Sequence, residues 1–312
     1  MTASITPCPE ETEEPIMKPY RSLLFVPGHK PTWVDKALRA GAHALILDLE
    51  DAVPVSAKAE ARAAVADSID RLVGSGTGVF VRVNPLDTEH FGKDIAAVVR
   101  PGLTGLLLPK VYGRDDVVAY DALVTAAEIE HGMPRGSVGL VPSLETARSL
   151  ANVDEIAAAP RVLSLMAAAA KDADISREVG FTWTPAGLET LYLRSKVVLA
   201  ARAAGLRHIV LGLWQEIGDL DGLRAFARDN NRLGYGGQVL IHPSHVAVVN
   251  EEYGPSGAEL DRLRRLVDTY ERGAALGEGA VLFDGEHIDL AHAQHARDVL
   301  AVNEENTEVA AV

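Results

Sequence analysis

The 312-residue chain has a single cysteine, Cys8, and is short of cations: 30 Lys and Arg stand against 44 Asp and Glu, a formal charge of −14 with His neutral. One thiol cannot close an internal disulfide, so nothing requires an oxidising compartment. The acidic balance argues against a general nucleic-acid binder, because phosphate contacts need clustered Lys and Arg. No stretch approaches the roughly 18 uncharged apolar residues of a membrane span. No Cys/His cluster has zinc spacing. The G-x-G-x-x-G fingerprint of an open nucleotide-binding sheet is also missing, since the first strand runs into Val26-Pro27-Gly28-His29-Lys30. Residues 1–19 are rich in Thr, Pro and Glu and lack the basic start and apolar core of a secretory signal. They are expected to be a disordered tail, and the protein is expected to be cytoplasmic.

What is present is an ordinary globular composition, 47% hydrophobic and 24% charged, in a chain long enough for a large core. From Tyr20 onward, short apolar runs alternate with stretches of helical length. The pattern predicts strands at Ser22–Val26, Ala44–Leu49, Val79–Val83, Gly105–Pro109, Val138–Val141, Val162–Met166, His208–Leu213 and Gln238–Ile241. Their Leu/Ile/Val density without clean alternation indicates burial on both faces, as in a parallel sheet. The intervening helices are expected at Thr32–Ala40, Ser56–Leu72, Thr88–Val99, Asp115–His131, Leu144–Ala158, Thr184–Ala204 and Leu220–Leu233, with Ser56 and Thr184 as N-caps and Pro185 at a first helical position. Eight strand–helix units over residues 20–253 predict a closed (β/α)8 TIM barrel. Residues 254–312 would form a C-terminal extension or lid with helices at Ser256–Leu276 and Leu290–Val302. Too short for a second core, it should pack on the barrel or on a neighbouring subunit.

Catalytic groups of such a barrel sit at the C-terminal ends of the strands. Those positions hold Lys30 after strand 1, Asp48, Glu50 and Asp51 after strand 2, Arg82 and Asn84 after strand 3, and Lys110 after strand 4. Strand 5 leads into Ser143 and Glu145, strand 6 into Lys171, Asp172 and Asp174, strand 7 into Trp214, Gln215 and Glu216, and strand 8 into His242, Ser244 and His245. Carboxylates converging in a cleft repel unless a cation lies between them, and oxygen donors favour Mg2+ or Mn2+ over zinc. His242 and His245 flank a strand-to-helix turn, where a capping or core role is commoner than metal ligation.

Six motifs make the pattern specific. Arg21-Ser-Leu-Leu-Phe-Val-Pro-Gly28, Leu47-Asp-Leu-Glu-Asp-Ala-Val53, Val81-Arg-Val-Asn84, Leu107-Leu-Pro-Lys110, Pro142-Ser-Leu-Glu-Thr-Ala147 and Ile241-His-Pro-Ser-His245, in order and at consistent spacing, resemble the HpcH/HpaI aldolase / citrate lyase β-subunit-like family. That family includes malyl-CoA and citramalyl-CoA lyases. The resemblance implies a TIM barrel of the phosphoenolpyruvate/pyruvate type, assembly as a homo-oligomer (trimer or hexamer), and Mg2+-dependent cleavage or formation of a C–C bond. The substrate would be a 3-hydroxyacyl-CoA, divided into an acyl-CoA and a 2-oxo acid through an enolate.

By the same resemblance Glu145 and Asp174 would hold the metal, with Asp172 as the fallback for the second. Taken alone, Glu145 could equally be a first-turn helix carboxylate favoured by the helix dipole. Arg82 would hold the oxo acid and stabilise the enolate. Glu50 and Asp51 would support metal-bound water and orient the arginine, while Asp48 would be structural or would support from behind the groups that touch the substrate. Arg21 and Lys30, and also Lys110, would contact CoA phosphates or the substrate carboxylate. His242 would close the barrel mouth. Asp284 and Asp289 are candidates for a catalytic acid carried on a C-terminal lid from a neighbouring subunit. Two places depart from the family pattern: alanines and Lys171 replace the glycine-containing turn after strand 6, and Leu211-Gly-Leu-Trp214 replaces an Asp-Gly after strand 7. There Trp214 is expected to pack or to shape the acyl pocket. Three other readings stay open: a citrate lyase β-subunit acting on a carrier-bound citryl thioester, a CoA-independent aldolase, and a non-catalytic accessory subunit.

Overall fold

The computed structural model describes residues 17–310 apart from 168, 169 and 172, and in it eight parallel strands close into a barrel. They are β1 (Ser22–Pro27), β2 (Ala44–Asp48), β3 (Gly78–Arg82), β4 (Gly105–Leu108), β5 (Gly139–Leu144), β6 (Met166–Ala167), β7 (Val210–Leu211) and β8 (Gly237–Leu240). Each pairs with the next, and β8 returns to β1 with Val239 opposite Leu23. Around them run α1 (Thr32–Arg39), α2 (Lys58–Leu72), α3 (Phe91–Val98), α4 (Arg114–Glu130), α5 (Ala147–Ala151), α6 (Val153–Ala157), α7 (Asp174–Val179), α8 (Leu191–Ala203), α9 (Leu220–Leu233) and α10 (Val246–Glu252). No helix among the described residues is long and apolar enough to cross a membrane.

The doubly buried strands follow from their composition. Side chains alternate between the two faces of a strand, so Leu23, Ile46, Phe80, Leu107, Val141, Val210 and Val239 fill the barrel interior. Their neighbours Leu24, Leu45, Leu47, Val79, Val81, Leu106 and Leu140 pack outward beneath the helices. Tyr20 closes the N-terminal end of the interior, edge-on to Phe80 at 5.8 Å. Gly78 is required there, since a Cβ would approach the Tyr20 ring to 2.5 Å. Met17 is buried in the same cluster, so the packed chain starts before Tyr20 rather than at it. Cys8 and residues 1–16 lie outside the described residues.

Local differences have local causes. Ser56 lies in a 3-10 turn (Val55–Ala57) that follows Pro54, so it does not cap α2, which begins at Lys58. The expected helix at Leu144–Ala158 is divided: β5 runs through Leu144, Thr146 caps α5, and Asn152 interrupts the helix while its side chain donates to the Tyr112 carbonyl at 2.9 Å. Thr184 donates its N–H and hydroxyl to Glu189 instead of capping a helix, and α8 starts only at Leu191 after a 3-10 turn. Among the described residues, β6 takes only Met166 of the sixth run and β7 only Val210 and Leu211 of the seventh.

The C-terminal residues build a small module of their own from α11 (Gly257–Ala275), a hairpin of β9 (Ala280–Phe283) and β10 (Glu286–Asp289), and α12 (Leu290–Ala310). Asp284 and Gly285, both at positive φ (48° and 86°), make the two-residue turn. Leu263, Leu266, Tyr270, Val281, Phe283, Ile288, Ala293 and Ala296 form a cluster separate from the barrel core, contrary to the expectation that so short a segment could build none.

Candidate active site

The site starts from two adjacent strand ends. Asp48 closes β2 and Arg82 closes β3, in register with one another. The guanidinium grips the Asp48 carboxylate with two parallel bonds, Nε to Oδ1 and Nη2 to Oδ2, each 2.7 Å. Asp48 also accepts the backbone N–H groups of Glu50 (2.9 Å) and Ala52 (3.0 Å), so its oxygens are fully engaged. This leaves Nη1 of Arg82 facing the mouth, 3.1 Å from Glu50 Oε2 and 3.8 Å from Asp51 Oδ2. The Phe25 ring lies 4.8 Å beneath the guanidinium. Burial alone would lower the Arg82 pKa, but hydrogen bonds and charge from Asp48, then Glu50 and Asp51, outweigh it and raise the pKa further. The arginine is therefore a permanent, aimed cation. Orientation of Arg82, expected from the acidic pair, is performed chiefly by Asp48.

Glu50 is buried and Asp51 is exposed. Burial pushes the Glu50 carboxyl up to about 7; Arg82 opposes this, while Asp51, Glu145 and Asp48 add to it. Glu145 stands just past β5 and accepts the Lys110 N–H at 2.8 Å and the Ser143 hydroxyl at 3.2 Å. Its carboxyl is raised by burial and by Asp174, against the Lys110 N–H, Arg82 and Ser143. Lys110 turns its N–H to Glu145 from a left-handed backbone (φ 52°), a strained conformation for a lysine. Because Thr146 is the N-cap of α5, Glu145 lies outside the helix, and the first-turn reading of this carboxylate does not hold.

Asp174 opens α7, is exposed, pairs with Arg177, and lies close enough to Glu145 to raise its pKa. Asp172 lies outside the described residues. Lys171 donates to Glu216 Oε1 at 2.9 Å. Among the described residues no three His, Cys, Asp or Glu side chains converge on one point. Glu145 is thus within electrostatic reach of both Asp174 and Arg82.

A sequence profile described as HpcH/HpaI aldolase/citrate lyase matches residues 21–243. The chain belongs to the HpcH/HpaI aldolase/citrate lyase family. It is an enzyme of the carbon–carbon lyase type. It is 35% identical over 285 residues to a citrate lyase subunit beta-like protein of Deinococcus radiodurans, covering 90% of this chain and 96% of the relative. It is 33% identical to a (3S)-malyl-CoA thioesterase of Cereibacter sphaeroides, covering 91% and 94%. The crystal structure of protein CitE from Mycobacterium tuberculosis in complex with magnesium, acetoacetate and coenzyme A superposes with a TM-score of 0.69 at 30% identity, covering 91% and 98%.

In this member of the HpcH/HpaI family a cavity of about 440 Å3 runs from Arg82 and Asp48 past Phe25, Leu213 and Ile241 to Trp33 and Lys36 on α1. Trp214 does not line it. That ring is buried between Trp183 and Phe226 (5.6 and 5.5 Å) and donates to the Glu216 carbonyl, so Leu213 shapes the wall instead. His242 is at the mouth, where its Nδ1 caps the turn at Ser244. Lys30 and Lys110 are exposed on strand-end loops, with no carboxylate partner among the described residues.

Arg21 is removed from this site. It precedes β1 at the opposite end of the barrel, where Nη2 donates to Asn303 of α12 at 2.9 Å. The partners of Asp284 (Arg262, Arg265) and of Asp289 (Ala291, His292) all lie within the C-terminal module. Sequence reasoning missed Lys58, which passes for one more solvated lysine of an Ala-rich helix. It is buried beneath the acidic turn and donates to the carbonyls of Leu49 (2.7 Å) and Glu50 (3.0 Å) and to Asn84 Oδ1 (2.6 Å).

Proposed function

We propose that this chain is a Mg2+-dependent lyase that divides a 3-hydroxyacyl-CoA of the malyl-CoA or citramalyl-CoA kind into an acyl-CoA and a 2-oxo acid. The observation that carries this is Arg82, held in two bonds by Asp48 with Nη1 3.1 Å from Glu50 and within electrostatic reach of Glu145.

The donor set fits magnesium. Glu145, whose ionised form is disfavoured by burial and by Asp174, is a carboxylate that a divalent cation would relieve. Mg2+ is commonly held by only one or two protein carboxylates, the rest of its coordination coming from water and substrate. Glu145 and Asp174 would supply those ligands, and the bound ion would act as a Lewis acid toward the oxo-acid end of the substrate. The CitE complex with magnesium, acetoacetate and coenzyme A supports the choice of ion and of an oxo-acid and CoA as its small-molecule partners.

The chain's own groups account for the other steps. Glu50, poised near neutrality, accepts the proton of the 3-hydroxyl as that carbon becomes a carbonyl. The pair of the broken C–C bond moves to the carbon next to the thioester, giving an enolate whose charge develops against Arg82. The proton held by Glu50 then passes, directly or through water, to that carbon, which completes the acyl-CoA and regenerates the base. The apolar cavity leading to Lys36 has the form needed for the thioester arm.

The purified chain with Mg2+ is expected to release a 2-oxo acid, detected by reduction with a coupled dehydrogenase, from malyl-CoA or citramalyl-CoA and not from the free hydroxy acids. Release of free CoA without oxo acid would replace this reading with thioester hydrolysis. Turnover of the free acids would replace it with a CoA-independent aldolase. In the cleavage direction kcat/KM is expected to rise with pH through about 7, as Glu50 ionises. Glu50→Gln should abolish that limb and lower kcat by about 100-fold, the lower range for losing a positioned general base. An unchanged pH profile in this variant would clear Glu50 of the proton transfer.

A further inference from the structure

We infer that Lys58 is a positioning residue for the reaction, clamping the turn that carries Asp48, Glu50 and Asp51; this rests on the lyase reading above. The geometry is unusual for a lysine. The side chain leaves the first residue of α2, is 7% exposed, and directs its three protons at three neutral acceptors: Leu49 O, Glu50 O and Asn84 Oδ1. No carboxylate accepts from it among the described residues, so its charge is not consumed in a local pair. It lies instead under four acids, Asp48, Glu50, Asp51 and Asp94, whose charges oppose the effect of its burial.

The clamp has a rigid base. Asn84, two residues after Arg82, donates its side-chain amide to Leu49 O (2.9 Å) and to Asp94 Oδ2 (2.6 Å), and its backbone N–H also reaches Asp94 Oδ2 (2.9 Å). Asp94 on α3 has no solvent exposure and is anchored by Arg62 Nε at 2.6 Å. Lys58 and Asn84 therefore bind the same carbonyl, Leu49 O, from two elements. They join the end of β3, which carries Arg82, to the turn after β2, which carries Glu50. Neither lines the substrate cavity. Buried networks of this kind, fully satisfied, hold a single geometry. Lys58 also acts as a cation behind Glu50, whose other charged neighbours are Arg82, Asp48, Asp51 and Glu145.

The test is Lys58→Met in the full chain, assayed with Mg2+ and the best thioester substrate of the wild type. We expect kcat to fall about 10- to 100-fold, the range typical of lost supporting contacts at an active site, with KM changed less than about threefold. The rising limb of the pH profile should move to higher pH, because ionised Glu50 loses a nearby cation. A merely structural lysine would lower the melting temperature or the fraction of active protein, leaving kcat per active site and the pH limb as in the wild type, and that outcome overturns the inference. Asn84→Ser, which removes the Oδ1 that accepts from Lys58 and the amide that donates to Leu49 O while keeping the Lys58 charge, should lower kcat without moving the limb. Should Lys58→Met not fold, Asn84→Ser with wild-type kcat would overturn the clamp. A 13C-carboxyl titration of Glu50 in Lys58→Met and in the wild type gives a readout that needs no substrate: an unchanged midpoint would also count against it. An inactive wild type would refute the lyase reading itself and is thereby told apart from failure of the Lys58 inference.

Discussion

Arg82→Lys is expected to lower kcat/KM by a factor on the order of 10² to 10³, the scale of losing one pre-organised group that faces developing charge. The substitution keeps the positive charge and removes the geometry. A guanidinium can hold Asp48 with Nε and Nη2 while its third nitrogen points to the mouth. An ammonium has one nitrogen, and the Asp48 carboxylate competes for it with the enolate. Because the aim is lost rather than the charge, the loss should fall mainly on kcat. The protein should remain folded by circular dichroism, since Lys can still neutralise the buried Asp48. An Arg82→Lys enzyme within about threefold of wild type would show that charge alone suffices and that the bidentate grip is only a strut across the barrel top.

Glu145→Gln is the second large effect. The amide is nearly isosteric and can still accept the Lys110 N–H through its carbonyl oxygen, so the strand-to-helix turn should survive. What disappears is one of the two negative charges proposed to face the ion. Calorimetric titration with Mg2+ should show affinity reduced below detection in the variant, and kcat should fall by a factor on the order of 10² or more, as expected when charge stabilisation at the reacting centre is removed. Stripping the wild type with a chelator should give the same inactive state, reversed by Mg2+ in the wild type and not in Glu145→Gln. Undiminished Mg2+ binding in the variant would place the ion elsewhere.

Both effects concern residues legible in the sequence, for a physical reason. Arg82, Glu50, Asp51 and Glu145 sit where hydrophobic strand runs end, and in a closed parallel barrel those ends all emerge on one face. Glycine, proline and unbroken Leu/Ile/Val runs are local signals, so their order along the chain was enough to place these residues on a common rim. Arg21 shows the converse. It belongs to the same motif as Gly28, yet β1 is long enough to carry the two to opposite ends of the barrel, and proximity in sequence became separation in space.

The partners of each charge were not legible. Asp48 was legible only as a structural or supporting residue, without its partner, and Glu50 with Asp51 looked like the arginine's holders. Which carboxylate takes the two parallel bonds depends on strand register, which sets Asp48 directly beside Arg82. Trp214 and Leu213 are adjacent, and only the path of the chain after β7 turns the indole into the packing with Trp183 and Phe226 and the leucine into the cavity. The compact C-terminal module was similarly underestimated, because its core is assembled from a hairpin folded between two helices rather than from any one periodic segment.

The amino-acid order by itself determined the barrel and the identity of its rim, since burial of alternating side chains is dictated by composition and spacing alone. Tertiary structure decided how the charges are shared. Register, strand length and desolvation turn Asp48 into the arginine's anchor, carry Glu50 to about 7, and bury Lys58 beneath them. Electrostatics depends on distances between residues far apart in the chain and on the water excluded around them, and neither quantity is written in a local pattern.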